Sequence, residues 1–233
     1  MIVAAIPVKN QLRWTAPLVE HLLVGDKVDE VWVYDNGSTD ETRDWVMHRK
    51  KFDNRLKYRN AKGMGIYDMW NSMIHTAATE YRECSLAILN NDIRLHQDAL
   101  WHMARLLRED DCKILAVDPS RPAISTRSIP LFDGVITPAV DPYVEVMTGK
   151  NRIGWAFMVQ AEWWADQEYA IHPDYKIWYG DDDLYRRIEQ RGGKIGWARG
   201  IGCDHAIEQS DGEIPDKVAI TDVDRATFER MWP

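Results

Sequence analysis

Apolar and polar positions alternate along the first half of the chain in two distinct rhythms. Ile2 to Ile6 is a continuous apolar run, the pattern of a strand covered on both faces. A helix follows: Thr15 is suited to cap it, Pro17 to its first turn, Leu18, Leu22 and Leu23 to one buried face, and Gly25 to its end. Val31 to Tyr34 predicts a second strand. Ser38 to Glu41 has the spacing of a capping box opening another helix. Ile66, Met69, Trp70, Met73, Ile74 and Ala77 form the clearest helical stripe. Leu86 to Leu89 predicts a strand, Leu100, Met103 and Leu107 a helix, and Ile114 to Val117 a further strand. Strands alternating with helices imply an α/β fold, a largely parallel sheet with helices on both faces.

The rhythm breaks over residues 119–152, rich in Pro, Ser, Thr and Gly; so long an irregular stretch inside a domain is usually functional or mobile. It returns with a strand at Ile153 to Gln160, a helix from about Asp183 to Arg191 ended by Gly192 or Gly193, a short strand at Lys194 to Trp197, and a last helix from about Asp222. No internal repeat or linker divides the 233 residues, which suffice for one large domain.

Composition narrows the function classes. The net charge of −8 argues against a chain that grips phosphate backbones, so nucleic acid is not the expected partner. No run of 18 apolar residues exists, and the N-terminal MIVAAIPVKN lacks the basic start of a signal peptide; no integral membrane segment is expected. Cys84, Cys112 and Cys203 are odd in number and in no metal spacing, which fits a reduced, cytoplasmic setting. Eleven tryptophans are many for this length; several belong to the core, and sugar-binding sites also use flat aromatic faces.

In open α/β sheets ligands sit beyond the carboxyl ends of the strands. Three polar turns fall there: Pro7, Val8, Lys9 and Asn10; DNGSTD from Asp35 to Asp40; and NNDI from Asn90 and Asn91 through Asp92. Each alone is ordinary turn chemistry; together they outline one crevice. Neither a dinucleotide fingerprint nor a P-loop is present, so the charge of a bound nucleotide diphosphate would fall to a metal. Asp92 is the natural hard-oxygen ligand, with His205 in GCDHAIEQS as a second candidate. Three successive aspartates in WYGDDDLYRR raise a choice between helix capping, metal binding and proton transfer. One suffices for a cap, and crowded carboxylates raise each other's pKa, which suits a general base.

Taken in order, these segments resemble an inverting GT-A glycosyltransferase, nearest to family 2, over residues 2 to about 210. AIPVKNQ looks like the first-strand segment whose backbone lies against the nucleotide base. VYDNGSTDET is similar to the VDDGSTDGT signature, which would put Asp35 on the nucleoside. MGIYDMWNSMI takes the place of the GxxxARNxGI helix, with Gly65 and Asn71 at matching spacing and Lys62 as a nearby positive charge for the phosphates. LNNDI stands where the family has its D-x-D motif: Asp92 matches the second, metal-binding aspartate, and Asn90 replaces the first. IGWAFMV matches the strand ahead of the acceptor site. WYGDDDLYRRIEQRGGKIGWA is similar to GxEDxDLxxRLxxxGxKI and to the GGEDDDL segment of the galactosyltransferase branch. It puts Asp181 at the catalytic base and Gly180 where a glutamate is usual.

The resemblance implies an inverting transfer from a nucleoside-diphosphate-sugar, a UDP-sugar before others, to an acceptor hydroxyl on a glycan, glycolipid or protein. Mn²⁺ or Mg²⁺ would be held by Asp92 and His205. Asp182 would face the acceptor, Trp155 and Trp178 would stack on sugar rings, and Asp183 would anchor the helix start. The loop within 119–152 would order over the donor. Residues 1–118 form the expected donor half of a GT-A domain, 119–210 the acceptor half and 211–233 a helical extension. Asn90 and Gly180 keep open a non-catalytic nucleotide-sugar or glycan-binding module, or a transferase acting on a modified nucleic-acid base. A nucleotidyltransferase would need a Gly-rich, lysine-bearing first loop that IPVKNQLRW lacks.

Overall fold

An eight-stranded sheet in the order β3-β2-β1-β4-β8-β6-β9-β7 forms the centre of the computed structural model, which describes residues 1–24, 27–117, 141–147, 153–206 and 216–233. Strands β1 (Ile2–Val8), β2 (Glu30–Asp35), β3 (Leu56–Asn60) and β4 (Ser85–Leu89) run parallel. β8 (Ala156–Gln160) lies antiparallel between β4 and β6 (Cys112–Val117). β9 (Lys194–Arg199) pairs parallel with β6, and β7 (Tyr143–Val146) closes that edge antiparallel to β9. A separate two-stranded ladder joins β5 (Ile93–Leu95) to β10 (Cys203–His205).

Period-two alternation of the strands divides the core in two. Ala4, Ile6 and Val8 of β1 face one layer, packed with Leu18 and Leu22 of α1 (Leu12–Leu23), Val46 of α2 (Thr42–Arg49) and Met103 and Leu107 of α4 (Ala99–Glu109). Val3 and Ala5 face the other, packed with Met73 and Ile74 of α3 (Ile66–Glu80), Trp164 of the 3-10 turn Ala161–Trp164 and Leu184 and Ile188 of α5 (Gly180–Gln190). Phe228 of the last helix, α6 (Lys217–Met231), packs on this second layer. A sheet covered on both faces needs apolar residues at successive positions, which is why the first strand reads as a continuous run. Among the described residues no helix is long and apolar enough to cross a membrane. The three cysteines are buried thiols.

Several local expectations change. α1 begins at Leu12, not after Thr15. The backbone N–H of Leu12 donates to Asp40 Oδ2 (3.1 Å) in the turn after β2, and Thr15 Oγ1 donates back to the Gln11 carbonyl (3.2 Å). Pro17 thus lies beyond the first turn, and Gly25 lies outside the described residues. The capping box at Ser38 does not form: the Ser38 N–H donates to Asp35 Oδ1 (2.8 Å), and Asp40 instead accepts from the Thr42 N–H (3.0 Å) at the start of α2. The strand expected from Ile153 begins at Ala156, α5 begins at Gly180 and α6 at Lys217. Within the stretch read as irregular, Tyr143–Val146 is a strand; most of the rest, including the expected lid, lies outside the described residues.

Candidate active site

The chain leaves β1 towards β2 and β3, then returns to place β4 on β1's other side, so a crevice opens between the carboxyl ends of β1 and β4. Its first wall is a set of interlocked turns. Asn10 and Gln11 both adopt left-handed backbone conformations (φ 59° and 65°). Asn10 Oδ1 accepts from the Thr39 N–H (2.7 Å), and the Asn10 N–H donates to Ser38 Oγ (2.8 Å). Asn36 does the same for the turn after β3, accepting from the Gly63 N–H (2.9 Å) and donating to the Met64 carbonyl (2.9 Å). Gly37 has φ +71° and lies under Lys62, whose Cγ would be 2.9 Å from a Cβ at that position. Asp35, 1% exposed, accepts from the Tyr58 hydroxyl at 2.9 Å. Burial, then this carboxylate, push the Tyr58 hydroxyl up to about 12. At Asp40 burial opposes ionisation, yet the hydrogen bonds from Thr42 and Leu12 outweigh it and hold the carboxyl below its ordinary value.

On the far side of the crevice, Asp92 sits between β4 and β5, and His205 ends β10. The antiparallel ladder pairs His205 with Ile93, and this register brings the two side chains together: His205 Nε2 is 3.2 Å from Asp92 Oδ1. Asp92 is only 8% exposed, and its Oδ1 is buried with this ion-pair contact but no hydrogen bond. A buried carboxylate oxygen without a hydrogen bond is costly unless a charge meets it. Two adjacent ligands of an octahedral ion with bonds of about 2.1 Å stand about 3 Å apart, so the pair fits a hard divalent cation. Among the described residues no cluster of three or more His, Cys, Asp or Glu could hold an ion.

The strip Ile153–Gly154–Trp155 joins this pair to the aspartate triplet. The Trp155 ring stacks on His205 (centroids 4.7 Å apart, 18° between planes), and its carbonyl accepts from the Asn90 N–H (2.8 Å). One residue earlier, a Cβ on Gly154 would lie 3.0 Å from Asp181 Oδ2 and 2.8 Å from the Trp70 ring. The Tyr185 hydroxyl of α5 donates to the Ile153 carbonyl (3.1 Å). Asp181 and the Asp92–His205 pair thus flank two adjacent residues. Asp181 and Asp182 are half-buried in the first turn of α5, where the helix dipole favours negative charge. Asp183 is fully buried, accepting from the His172 N–H (2.8 Å), Arg187 Nε (2.7 Å) and Trp232 Nε1 (2.9 Å). It is an anchor.

Gly180 has a steric cause. A Cβ there would meet the Tyr67 ring at 2.5 Å, and Tyr67 is fixed by its own hydroxyl donating to the Ile177 carbonyl (2.7 Å). The tyrosine fills the space a side chain at 180 would need. Burial, then the Asp181 charge, hold the Tyr67 hydroxyl well above its ordinary value. Overpacking of this kind typically costs about 1–3 kcal/mol, and each kcal/mol moves the melting temperature of a chain this size by about 2–4 °C. Gly180→Ala therefore lowers Tm by roughly 2–12 °C in a thermal melt, and Gly180→Glu by more.

Comparison with known proteins fits this geometry. Residues 3–154 match the profile of the Glycosyl transferase family 2. The chain belongs to this family. No curated protein sequence matches it. Among solved structures it is similar to Staphylococcus aureus TarS residues 1–349 in complex with UDP-GlcNAc, with a TM-score of 0.63 and 14% identity over 95% of this chain and 64% of that one. It is similar to GalNAc-T7 with UDP, GalNAc and Mn²⁺ (TM-score 0.63, 14% identity, 88% of this chain and 43% of that one). It also resembles the mannosyltransferase PcManGT of Pyrobaculum calidifontis with GDP-Man and Mn²⁺ (TM-score 0.61, 13% identity, 90% and 57%). The fold is therefore of the GT-A type, and the chain spans between 43% and 64% of these three neighbours.

Not every residue anticipated for the site of this family 2 chain has a side chain in the crevice. Pro7 and Val8 end β1, opposite Tyr34 and Asp35 of β2, and Lys9 is exposed at the rim. Gly65 heads α3, its N–H donating to Asp68 Oδ2 (3.1 Å). Asn71 turns elsewhere: its amide donates to the Ile171 carbonyl (2.7 Å) and accepts from the Ala170 and Ile171 N–H groups, bracing the segment before the triplet. Asn91 donates to Thr15 Oγ1 (3.1 Å) on α1. Trp155 has one ring face on His205. Trp178 is half-buried beside the triplet with its indole N–H unpartnered among the described residues. The sequence reading misses Gly154, whose signal was the small residue in IGWAF, and Tyr67, which stood outside the apolar stripe of α3.

Proposed function

We propose that this family 2 chain is a metal-dependent, inverting glycosyltransferase that moves a sugar from a nucleoside-diphosphate-sugar to an acceptor hydroxyl on a glycan, glycolipid or protein. The observation that carries the reading is the placement of Asp181 and the Asp92–His205 pair on either side of Gly154–Trp155. A general base and a cation site so arranged suit the two ends of one displacement. The nucleoside lies against the turns after β1 and β2, where Asp35, braced by Tyr58, and the Pro7–Asn10 backbone bound it. UDP is the favoured nucleotide, because two of the three neighbours described above carry it and the third carries GDP-Man.

Asp92 and His205 would hold Mn²⁺ or Mg²⁺, which supplies Lewis-acid stabilisation of the departing diphosphate when bound. Asp181 takes the proton of the acceptor hydroxyl as its oxygen attacks the anomeric carbon. The new C–O bond forms opposite the breaking bond to phosphate, the configuration inverts, and the nucleoside diphosphate leaves with the bonding pair. Trp70 and Tyr67 present ring surface around Asp181 and limit water there. Trp178 and Asp182 stand on the acceptor side.

The test pairs thermal shift with nucleoside-diphosphate release over a panel of UDP-, GDP- and dTDP-sugars, with Mn²⁺ or with EDTA. At a hundredfold excess over Kd a ligand stabilises by about 2.7 kcal/mol, or roughly 5–11 °C for a chain of this size. One donor should give that shift and slow release of its diphosphate, both abolished by EDTA. If no donor shifts Tm or releases diphosphate, the reading is wrong.

A further inference from the structure

The segment leading into the triplet is held from outside by the last helix. Asp224 of α6 is fully buried. Its Oδ1 accepts from the Lys176 N–H (3.0 Å), and its Oδ2 from the N–H groups of Ile177 (2.9 Å) and Trp178 (2.8 Å). A carboxylate buried among successive peptide N–H groups is a charge-assisted clamp, and its removal leaves those donors without their acceptor. More contacts converge around it. Arg225 Nε donates to the Tyr179 hydroxyl (3.2 Å), and Phe228 packs on the Tyr179 ring (5.4 Å between centroids). Trp232 reaches Asp183 Oδ1 (2.9 Å). Tyr179 itself has φ 64°, a backbone state disfavoured for a residue bearing a Cβ, immediately before α5 begins. Residues 176–178 belong to no strand: their N–H groups go to Asp224 and the Ile177 carbonyl to Tyr67, while the Tyr179 carbonyl accepts from the Asp183 N–H (2.8 Å) inside α5.

We propose that Asp224 is a positioning residue for the transfer reaction: by fixing the backbone of residues 176–178 it sets Trp178 and Asp181 at the acceptor side of the crevice, and so makes α6 part of the active site. The proposal rests on the reading of Asp181 as the base. The donor turns after β1 and β2 are tied to one another and not to α6, so the clamp acts on one half of the reaction only.

Asp224→Asn and Asp224→Ala test it, with Glu229→Gln on the exposed side of α6 as the control. Hydrogen exchange is followed over residues 172–183 and over β1 to β4, alongside steady-state kinetics with the UDP-sugar that turns over in the presence of Mn²⁺. The amides of 176–178 should exchange at least tenfold faster in Asp224→Ala, and less so in Asp224→Asn, which keeps one acceptor oxygen, with the β1–β4 amides unchanged. kcat for UDP release should fall at least tenfold, while donor KM and the Kd for UDP with Mn²⁺ stay within twofold. A merely structural role would speed exchange throughout and weaken UDP binding as well; that result, unchanged exchange at 176–178, or unchanged kcat in a loosened segment overturns the proposal. If the wild type turns over no UDP-sugar, the transferase reading fails by itself, and exchange at 176–178 still decides whether the clamp exists.

Discussion

Asp181→Asn should leave the fold and the affinity for UDP with Mn²⁺ as they are, and reduce transfer about a thousandfold, within the roughly 10²–10⁴-fold that a positioned base contributes. Asparagine has nearly the shape of aspartate, so it fits the narrow place beside Gly154 and Trp70 where a larger side chain would not. What it loses is the ability to take the acceptor's proton. Calorimetry with UDP and Mn²⁺, set against steady-state turnover, separates the two effects. If the variant keeps kcat within tenfold of the wild type, the base is not Asp181, and Asp182, half-buried one residue on, is the next to replace.

Asp92→Ala should have the complementary effect. It removes the carboxylate that faces His205 at 3.2 Å and with it the negative charge of the pair. Changing groups one step removed from a metal typically costs about 10–100-fold in affinity, so loss of a direct ligand should weaken Mn²⁺-dependent UDP binding by about 100-fold or more. Binding measured in EDTA should be the same for variant and wild type, because the turns around Asp35 are untouched. Equal Mn²⁺-dependent affinity in the two proteins would remove Asp92 from any metal site. Asp181→Asn lowers kcat at constant nucleotide affinity and Asp92→Ala lowers the affinity, so the pair distinguishes base from cation ligand without knowledge of the acceptor.

Much of the fold was legible because parallel strands buried on both faces must be written as apolar runs: β1, β2, β4 and β6 all read this way. β3 escaped because LKYRN lies at the sheet edge, with polar residues half-buried between α2 and solvent. β5 and β10 are three residues each, too short for any period to show. DNGSTD was located as a site, but its spacing suggested a local cap. The structure instead spends Ser38 on Asp35, three residues back, and on Asn10, a partner 28 residues away that no local window contains. The triplet divides as its chemistry allows, with Asp183 consumed by Arg187, His172 and Trp232. Gly180 was visible as a departure, but its cause, Tyr67, sits on a distant helix. Asp224 had no local signal at all: a single aspartate in a polar helix reads as solvent-facing until its partners are known.

Strand β8 carries a consequence for how the chain assembles. It lies between β4 and β6, both of which precede it in sequence, and pairs with each. As the polypeptide emerges from the ribosome, β4 and β6 therefore present open, almost wholly apolar edges until residue 160 has been made. Such edges are templates for mispairing between chains. Residues 1–117 thus leave strand edges unpaired until β8 is made. The strip Ile153–Trp155 runs directly into β8, so pairing β4 with β6 through β8 also sets the wall on which Asp181 and His205, both later in the chain, come to rest.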